Sequence, residues 1–150
     1  MANTSAVCNS FKTELLDGIH ALGTTVVRAG TTKDTFKFAL YYATASLGAA
    51  TTAYSTTGEG VGASYTAGGV TVTNATEPTA TGTTAFWTPS AAFVWTGLTL
   101  VAFDAGLLYN STQSNKAAAV FNFGSQTVTA GTFTLSQPTN DSSTALLRLA

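Results

Sequence analysis

The chain has 150 residues, which is enough for one domain with an ordinary hydrophobic core. Charged residues make up 9% of it, against roughly 25% in an average soluble domain, whereas 30 residues are threonine and 12 are serine. A net charge of -1 offers no basic surface for nucleic acid, and no apolar run of about 18 residues could span a membrane. We therefore expect a neutral, hydroxyl-rich surface that tolerates dense packing against neighbours, with neither nucleic acid nor membrane as a partner.

The start of the chain, MANTSAVCNS, lacks the basic and apolar regions of a secretory signal. This predicts a protein that is made in the cytoplasm and is soluble there. The composition favours a protein that forms part of a larger assembly. A secreted protein with a threonine-rich surface is the alternative that composition leaves open.

Residues 5–22 carry the only helical pattern in the chain. Their apolar residues recur at spacings of four, four, four and three and form one stripe: Val7, Phe11, Leu15, Ile19 and Leu22. Thr4 or Ser5 can cap the start, and Gly23 suits the end. The stripe either lies on a β-sheet or docks on a neighbouring subunit, so Val7, Phe11, Leu15 and Ile19 are a candidate partner interface.

From about residue 31 to residue 150, the pattern predicts short strands with a turn signal every 8–12 residues. The candidate strands are residues 34–43, 51–58, 70–77, 84–88, 92–103, 105–110, 116–124, 126–137 and 143–150. We expect a bend at Gly97, because glycine inside a strand often accompanies a bulge. We expect a single domain, residues 1–150, that is mainly β: a two-sheet antiparallel sandwich, jelly-roll-like, with one N-terminal α-helix.

The stretch GEGVGASYTAGGVTV, residues 58–72, contains a match to the dinucleotide fingerprint G-x-G-x-x-G/A. That fingerprint requires a helix to follow, since the helix N-terminus holds the pyrophosphate. Here a Gly-Gly pair and alternating valine and threonine follow, which indicate a strand. We therefore interpret the stretch as a turn, with Tyr65 packing on the sheet.

No group of residues has the spacing of a catalytic or metal site. Cys8 and His20 are the only residues of their types, and no two carboxylates share an obvious motif. We interpret Cys8 as a small buried residue, His20 as an exposed or partly buried structural histidine, and Glu59 as a turn residue. Asp104 is either a buried carboxylate or a turn residue, and the turn is favoured. We expect no enzyme activity, no catalytic residue, no cofactor and no metal.

Four aromatic residues flank Pro89 and form a second candidate cluster: Phe86, Trp87, Phe93 and Trp95. Aromatic platforms can bind sugars or single-stranded nucleic acid, but they also fill sandwich cores. Because no basic residue lies nearby, the core interpretation is favoured for most of them. An exposed tryptophan at an interface remains open.

Several stretches, in their order along the chain, resemble a family of small structural proteins of tailed bacteriophages. They are MANTSAVCNSFKTELLDGIHALG, FKFALYYATASL, TTAYSTTGEGVGASYTAGGVTV, AFWTPSAAFVWTGLTL, AFDAGLLYNS and KAAAVFNFGSQTVTAGTFTL. The resemblance spans nearly the whole chain. Its most specific marks are the stretch ending Y-T-A-G-G, the L-Y-N turn, and F-G-S-Q-T-V-T-A-G-T-F.

The resemblance implies a virion component without catalytic residues, and a capsid decoration or cement protein is the preferred role. It implies the major capsid protein and the chain itself, as a dimer or trimer, as partners. The expected location is the capsid surface of the virion, after synthesis in the bacterial host cytoplasm. The alternative is a tail or head-fibre component with a carbohydrate-binding β-sandwich, whose exposed Trp87 or Trp95 would stack on sugar rings.

Overall fold

The computed structural model describes residues 3–16, 19–23, 33–73 and 76–149. Strands hold 47% of the residues and helix 6%, so the chain is mainly β, as predicted. The elements of the described chain are β1 (Ala6–Val7), α1 (Asn9–Leu16), β2 (Phe36–Tyr42), a 3-10 turn (Ala43–Ala45), β3 (Val70–Thr71), β4 (Thr79–Thr81), β5 (Thr84–Trp87), β6 (Phe93–Asn110), β7 (Lys116–Leu135) and β8 (Leu147–Leu149). None of the helical segments in these residues is long and apolar enough to cross a membrane.

Two antiparallel sheets make up the fold. The larger sheet has the strand order β1-β7-β6-β2-β3, and the smaller has the order β4-β5-β8. The sheets meet through aromatic residues: the ring of Trp87 on β5 lies 6.3 Å from that of Phe36 on β2. The prediction of a two-sheet antiparallel β fold with one N-terminal helix is confirmed, and the sheets do not close into a barrel.

The hairpin of β6 and β7 dominates the larger sheet, with strands of 18 and 20 residues. Its proximal half, residues 103–110 and 116–122, lies between β2 and β1, which pair with it on either side. Its distal half, residues 93–102 and 123–135, extends past both neighbours. There a single isolated bridge, between Ala63 and Thr99, covers the outer side of β6.

The distal half is irregular, because its pairing shifts register at four points between Trp95 and Ala105. Four residues with positive φ lie at these shifts: Gly97 (68°), Ala102 (53°), Gly124 (75°) and Ala130 (48°). Each therefore sits where one strand holds an extra residue, which is the definition of a β-bulge. The expected bend at Gly97 is one of these bulges.

The predicted helix over residues 5–22 was wrong in its extent. The helix covers Asn9–Leu16 alone, and Ala6–Val7 forms an edge strand against Val120 and Ala119. Residues 17 and 18 lie outside the described residues, and residues 19–23 are not helical. Edge pairing with β7 satisfies the backbone of residues 6 and 7, and this tertiary interaction outweighs helical periodicity.

The number of strands was close to the prediction, but their bounds were not. Two predicted pairs, 92–103 with 105–110 and 116–124 with 126–137, are single strands, since bulges rather than turns interrupt them. Residues 51–58 form turns with one bridge at Ala53, and the strand at 70–77 has two residues. The strand at 143–150 shrinks to Leu147–Leu149, and β1 and β4 were not predicted.

Candidate contact surface

The distal half of the hairpin has one buried and one exposed face. On β6 the buried residues Phe93, Trp95, Leu98 and Leu100 alternate with exposed or half-exposed ones. The exposed side chains form a surface that we call the outer face: Val94, Thr96, Val101, Thr127, Thr132 and Thr134. Residues 93–102 and 122–136 contain no charged side chain. The outer face is therefore an uncharged sheet surface of methyl and hydroxyl groups, suited to contact with another neutral surface.

Among the described residues, no strand lies beside the outer edge of β7 in the distal half. Strand β1 pairs with β7 at Ala119 and Val120 alone, and the described backbone hydrogen bonds of residues 123–135 go to β6. The inward side chains along this edge are half-buried rather than buried: Phe123, Val128, Phe133 and Leu135. The sandwich is thus open along β7, in backbone and in side chains alike.

The four residues predicted as a partner interface do not form one helical stripe. Val7 is on β1, Phe11 and Leu15 are on α1, and Ile19 follows the helix. Phe11 is 1% exposed and its ring lies 4.6 Å from that of His20, so it belongs to the core. Leu15 and Val7 are half-buried against the same core. A partner could reach Ile19, Val7 or Leu15 in part, but not Phe11.

Val7, Phe11 and Leu15 also line an apolar cavity of about 200 Å³ between α1 and the smaller sheet. Phe86, Leu147 and His20 also line it. Val7, Phe11 and Leu15 thus face the second sheet. This agrees with the first of the two roles predicted for them, the packing of a helix on a β-sheet. The predicted subunit docking stays a prediction.

A buried polar network connects α1 to the turn of the hairpin. His20 Nε2 lies 2.7 Å from Glu14 Oε2, and Asn110 Nδ2 lies 3.0 Å from His20 Nδ1. The same amide donates to Asp34 Oδ2 at 2.8 Å, and Lys116 pairs with Glu14. Both ring nitrogens of His20 therefore have partners, and the predicted structural role of His20 agrees with this placement.

Burial lowers the pKa of His20 from its ordinary 6.5, and this effect exceeds the opposing attraction of Glu14 and Asp34. Burial alone would raise the pKa of Glu14, but hydrogen bonds from Lys116 and His20 outweigh it and lower that pKa. With neutral His20 donating from Nε2, its Nδ1 accepts the hydrogen of Asn110. The arrangement resembles an oriented histidine dyad, but both of its nitrogens are occupied by structural partners.

The glycine-rich stretch folds around a second buried carboxylate, that of Glu59, which is 4% exposed. Glu59 accepts hydrogen bonds from the hydroxyl groups of Tyr54 and Tyr65 and from the backbone N–H of Gly68. Tyr65 in turn accepts from Leu40 N–H on β2, 2.9 Å away. The turn interpretation and the packing of Tyr65 are confirmed, whereas Glu59 is an anchor inside the fold rather than a simple turn residue.

Burial raises the pKa values of the tyrosines in this cluster above their ordinary value of 10. Burial, followed by the nearby Glu59, raises the pKa of Tyr109 to about 12. Burial also raises the pKa of Tyr65, with Glu59 the next cause. Hydroxyl groups with raised pKa values act as hydrogen-bond donors, and here they hold the loop 54–68 on the sheet. The conformation with positive φ at Gly68 and Gly69 completes the turn into β3.

Of the two interpretations of Asp104, the favoured one, a turn residue, was wrong, and the other, a buried carboxylate, is confirmed. It lies inside β6, is 7% exposed, and is bonded by two amides, Asn3 at 2.5 Å and Asn122 at 3.4 Å. The register of β2 against β6 shifts at Tyr41 and Tyr42, opposite Ala105 and Phe103, so Asp104 is the extra residue of a bulge. Nothing in the sequence around Asp104 marks its partners, which come from 101 and 18 residues away.

The aromatic cluster around Pro89 belongs to the core, as favoured from the sequence. Phe86, Trp87, Phe93 and Trp95 are at most 7% exposed. Trp87 donates its indole N–H to the carbonyl of Thr76, and Trp95 packs against Phe38 and Phe133. Neither tryptophan offers a face on which a sugar ring could stack. The exposed tryptophan of the carbohydrate-binding alternative is therefore absent at both positions.

Within the described residues, no group of three or more His, Cys, Asp or Glu side chains could hold a metal ion. Cys8 is fully buried, which agrees with the role expected for it. Comparison with known proteins adds no relative: no family model, no curated protein and no solved structure matches the chain. The outer face and its edge are thus the features of the structure that point to a function.

Proposed function

We propose that the chain is a non-enzymatic structural protein of a tailed-bacteriophage virion, acting as a capsid decoration protein that binds the major capsid protein. The outer face of the distal hairpin would be the docking surface. Burial of methyl and hydroxyl groups across the contact would supply the binding energy, with no charge to desolvate. Because decoration proteins clamp adjacent capsomers, the bound chain would stabilise the capsid against dissociation.

The observation that carries this proposal is the uncharged outer face. Two large apolar side chains on it are exposed, Val94 at 44% and Val101 at 57%, and residues 93–102 and 122–136 contain no Lys, Arg, Asp or Glu. Soluble monomers usually place charge on such sheet surfaces, both for solubility and to prevent association. A surface kept free of charge over two long strands fits a permanent neighbour. The sequence resemblance to phage structural proteins supplies the identity of that neighbour.

The placement of the titratable groups supports the non-enzymatic part of the proposal. His20 is hydrogen-bonded to Glu14, and Asp34 accepts a hydrogen bond from the amide of Asn110. Glu59 accepts hydrogen bonds from tyrosine hydroxyl groups. A general base needs a free lone pair within reach of substrate. Here the lone pairs of these groups hold secondary-structure elements together instead.

Localisation in virions tests the proposal. Purified virions of the phage that encodes the chain would be labelled with antibody and imaged by electron microscopy, with the chain quantified by mass spectrometry. We expect label over the capsid at regular symmetry positions. Label on the tail or on head fibres would favour the alternative virion role, and absence of the chain from purified virions would overturn the proposal.

A pair of charge-adding variants tests the docking surface. Val101→Asp adds a charge to the outer face, whereas Leu149→Asp adds the same charge at a residue of β8, in the smaller sheet, that is 45% exposed. Binding to capsids stripped of the chain should fall at least about tenfold for Val101→Asp, since the charge must be desolvated on docking, and should hold for Leu149→Asp. Equal binding by both variants would place the docking surface elsewhere.

A further inference from the structure

We infer that the distal edge of β7 pairs with β7 of a second copy of this chain, antiparallel about a twofold axis. The pairing joins two five-stranded sheets into one continuous sheet. This inference concerns the isolated protein in solution, and it does not depend on the capsid role proposed above.

The backbone of the edge is the first argument. Residues 123–135 have no described strand on the side away from β6, so their outward N–H and C=O groups lack a strand partner. An unpaired edge is a template for another strand. In antiparallel pairing about a twofold axis, each residue i faces residue j while j faces i, so any strand edge is complementary to itself.

The second argument is that the edge carries few of the features that prevent such pairing. Proteins protect exposed edges with charged side chains, proline or bulges. Residues 121–137 contain neither charge nor proline, and Pro138 comes directly after them. The bulges at Gly124 and Ala130 interrupt the edge, but residues 131–135 run without an extra residue on β7. Pairing centred on Phe133 would use this regular stretch.

The half-buried apolar row along β7 favours a second copy of the chain as the partner of this edge. A twofold axis perpendicular to the sheet keeps the inner faces of both copies on the same side. Phe133 would then lie beside Phe133 of the second copy, with Leu135 two residues further along, and both would lose their remaining exposure. The ring of Phe133 already packs on Trp95, Phe103 and Phe123 within its own chain. A second copy thus supplies both missing components, a strand and an apolar surface.

The outer face is compatible with the same geometry. With the axis at Phe133, Thr132 of each copy lies opposite Thr134 of the other. Threonine pairs across strands are favourable, and no like charges meet, because neither strand carries any there. Each chain has a net charge of -1, so the two copies repel weakly.

Sedimentation velocity on the full chain over a range of concentrations tests the inference. We expect a dimer for the wild type. The double variant Thr132→Lys/Thr134→Lys places lysines opposite each other across the axis and should raise the dimer dissociation constant at least about tenfold. The control is Val94→Lys. It adds a charge to the same face directly across from Thr134, but one strand away from the edge, so this variant should remain a dimer.

Four results would overturn the inference. A wild type that is monomeric at every concentration refutes it directly. A double variant that dimerises like the wild type refutes the edge contact, and loss of the dimer in Val94→Lys would indicate face-to-face packing instead. Hydrogen exchange of the wild type provides a test independent of any variant: amides of residues 131–135 should gain protection as concentration rises. Unchanged exchange in the dimer would also exclude edge pairing.

Discussion

The two halves of the β6–β7 hairpin belong to the same pair of strands but have opposite environments. In the proximal half, residues 103–110 of β6 are all buried, and so are the four consecutive residues 117–120 of β7. In the distal half, buried and exposed residues alternate. The proximal half is covered on both faces and paired on both sides, whereas the distal half has one covered face and one unpaired edge.

This difference shows how one hairpin can hold a fold together and still offer a surface. Small residues permit the close packing of the proximal half: Ala105, Gly106 and Ala117–119. Buried polar side chains, among them Asp104 and Asn110, fix its position through amide networks. Threonine supplies much of the exposed surface of the distal half, since it favours strands and still leaves a polar, uncharged surface.

The largest expected difference between the halves comes from replacing a phenylalanine in each. Phe103 is fully buried, so the variant Phe103→Ala should lower the free energy of unfolding by about 3–5 kcal/mol. Phe133 is half-buried at the open edge, so Phe133→Ala should lower the free energy of unfolding by roughly half as much or less, because less of its apolar surface returns to water on unfolding. Chemical denaturation at low protein concentration measures both values for the monomer.

The two rings lie in contact, with centroids 4.9 Å apart, so the comparison needs its own control. The double variant separates the shared contact from the separate burial of each ring. Equal losses for the two single variants would mean that the distal half is as well buried as the proximal half. The proposed division of the hairpin, with a proximal half that stabilises the fold and a distal half that offers a contact surface, would then be contradicted.

Much of the fold was predictable from the sequence, because alternation and turn residues carry strand information directly. The mainly β class, the single helix near the N-terminus and the turn at residues 58–69 all followed from such local signals. The lengths of β6 and β7 did not. The chain shows Gly124 and the small residues around Asp104 where the predicted strands break, but a bulge and a turn use the same residues, so local pattern cannot distinguish them.

The candidate surface was predictable in its chemistry but not in its place. The absence of charge from residues 93–102 and 122–136 is visible in the sequence and could have been noticed as a signal. That these residues share an exposed face depends on long-range pairing, such as that of Val94 with Thr134. The prediction that Val7 belongs to a helical stripe was wrong for the same reason, since the strand partner of Val7 lies more than 100 residues away.

A glycine in each half gives the next comparison. A Cβ on Gly106 would lie 2.0 Å from Cε1 of the buried Phe38 ring, whereas a Cβ on Gly124 would meet nothing within 4 Å. Gly106→Ala should therefore cost about 1–3 kcal/mol from overpacking. Gly124→Ala should cost about 1–2 kcal/mol at most, because its φ of 75° strains a residue with a Cβ. Both values come from denaturation curves.

The additional substitution Phe38→Leu tells overpacking apart from backbone strain. It removes the ring atoms that the new methyl group meets, so it should reduce the cost of Gly106→Ala and leave that of Gly124→Ala unchanged. If Gly106→Ala proved harmless beside an intact Phe38, the close packing of the proximal half would be contradicted.

The smallest expected effect is the pH dependence of stability, which concerns the proximal end alone. Burial lowers the folded-state pKa of His20 below 6.5, so near and below that pH the unfolded chain binds more protons. The free energy of unfolding should therefore fall as pH drops through about 6.5, by at most about 1.4 kcal/mol per pH unit for one proton. The lowered pKa of Glu14 acts in the same direction below pH 4.5. Protonation would also place a hydrogen on Nδ1, where the amide of Asn110 already donates.

Denaturation of the wild type and of His20→Gln between pH 5 and 8 measures this effect. The variant is less stable at pH 8, since it loses the bonds to Glu14 and Asn110, but its stability should change less over this range. The exposed Asp141, whose hydrogen bonds from Ser143 and Thr144 lower its pKa to about 2, does not titrate over this range and does not contribute to the slope. An equal slope in both proteins would show that His20 is not held neutral. The anchoring of the N-terminal segment to the hairpin turn would then rest on the Lys116–Glu14 pair instead.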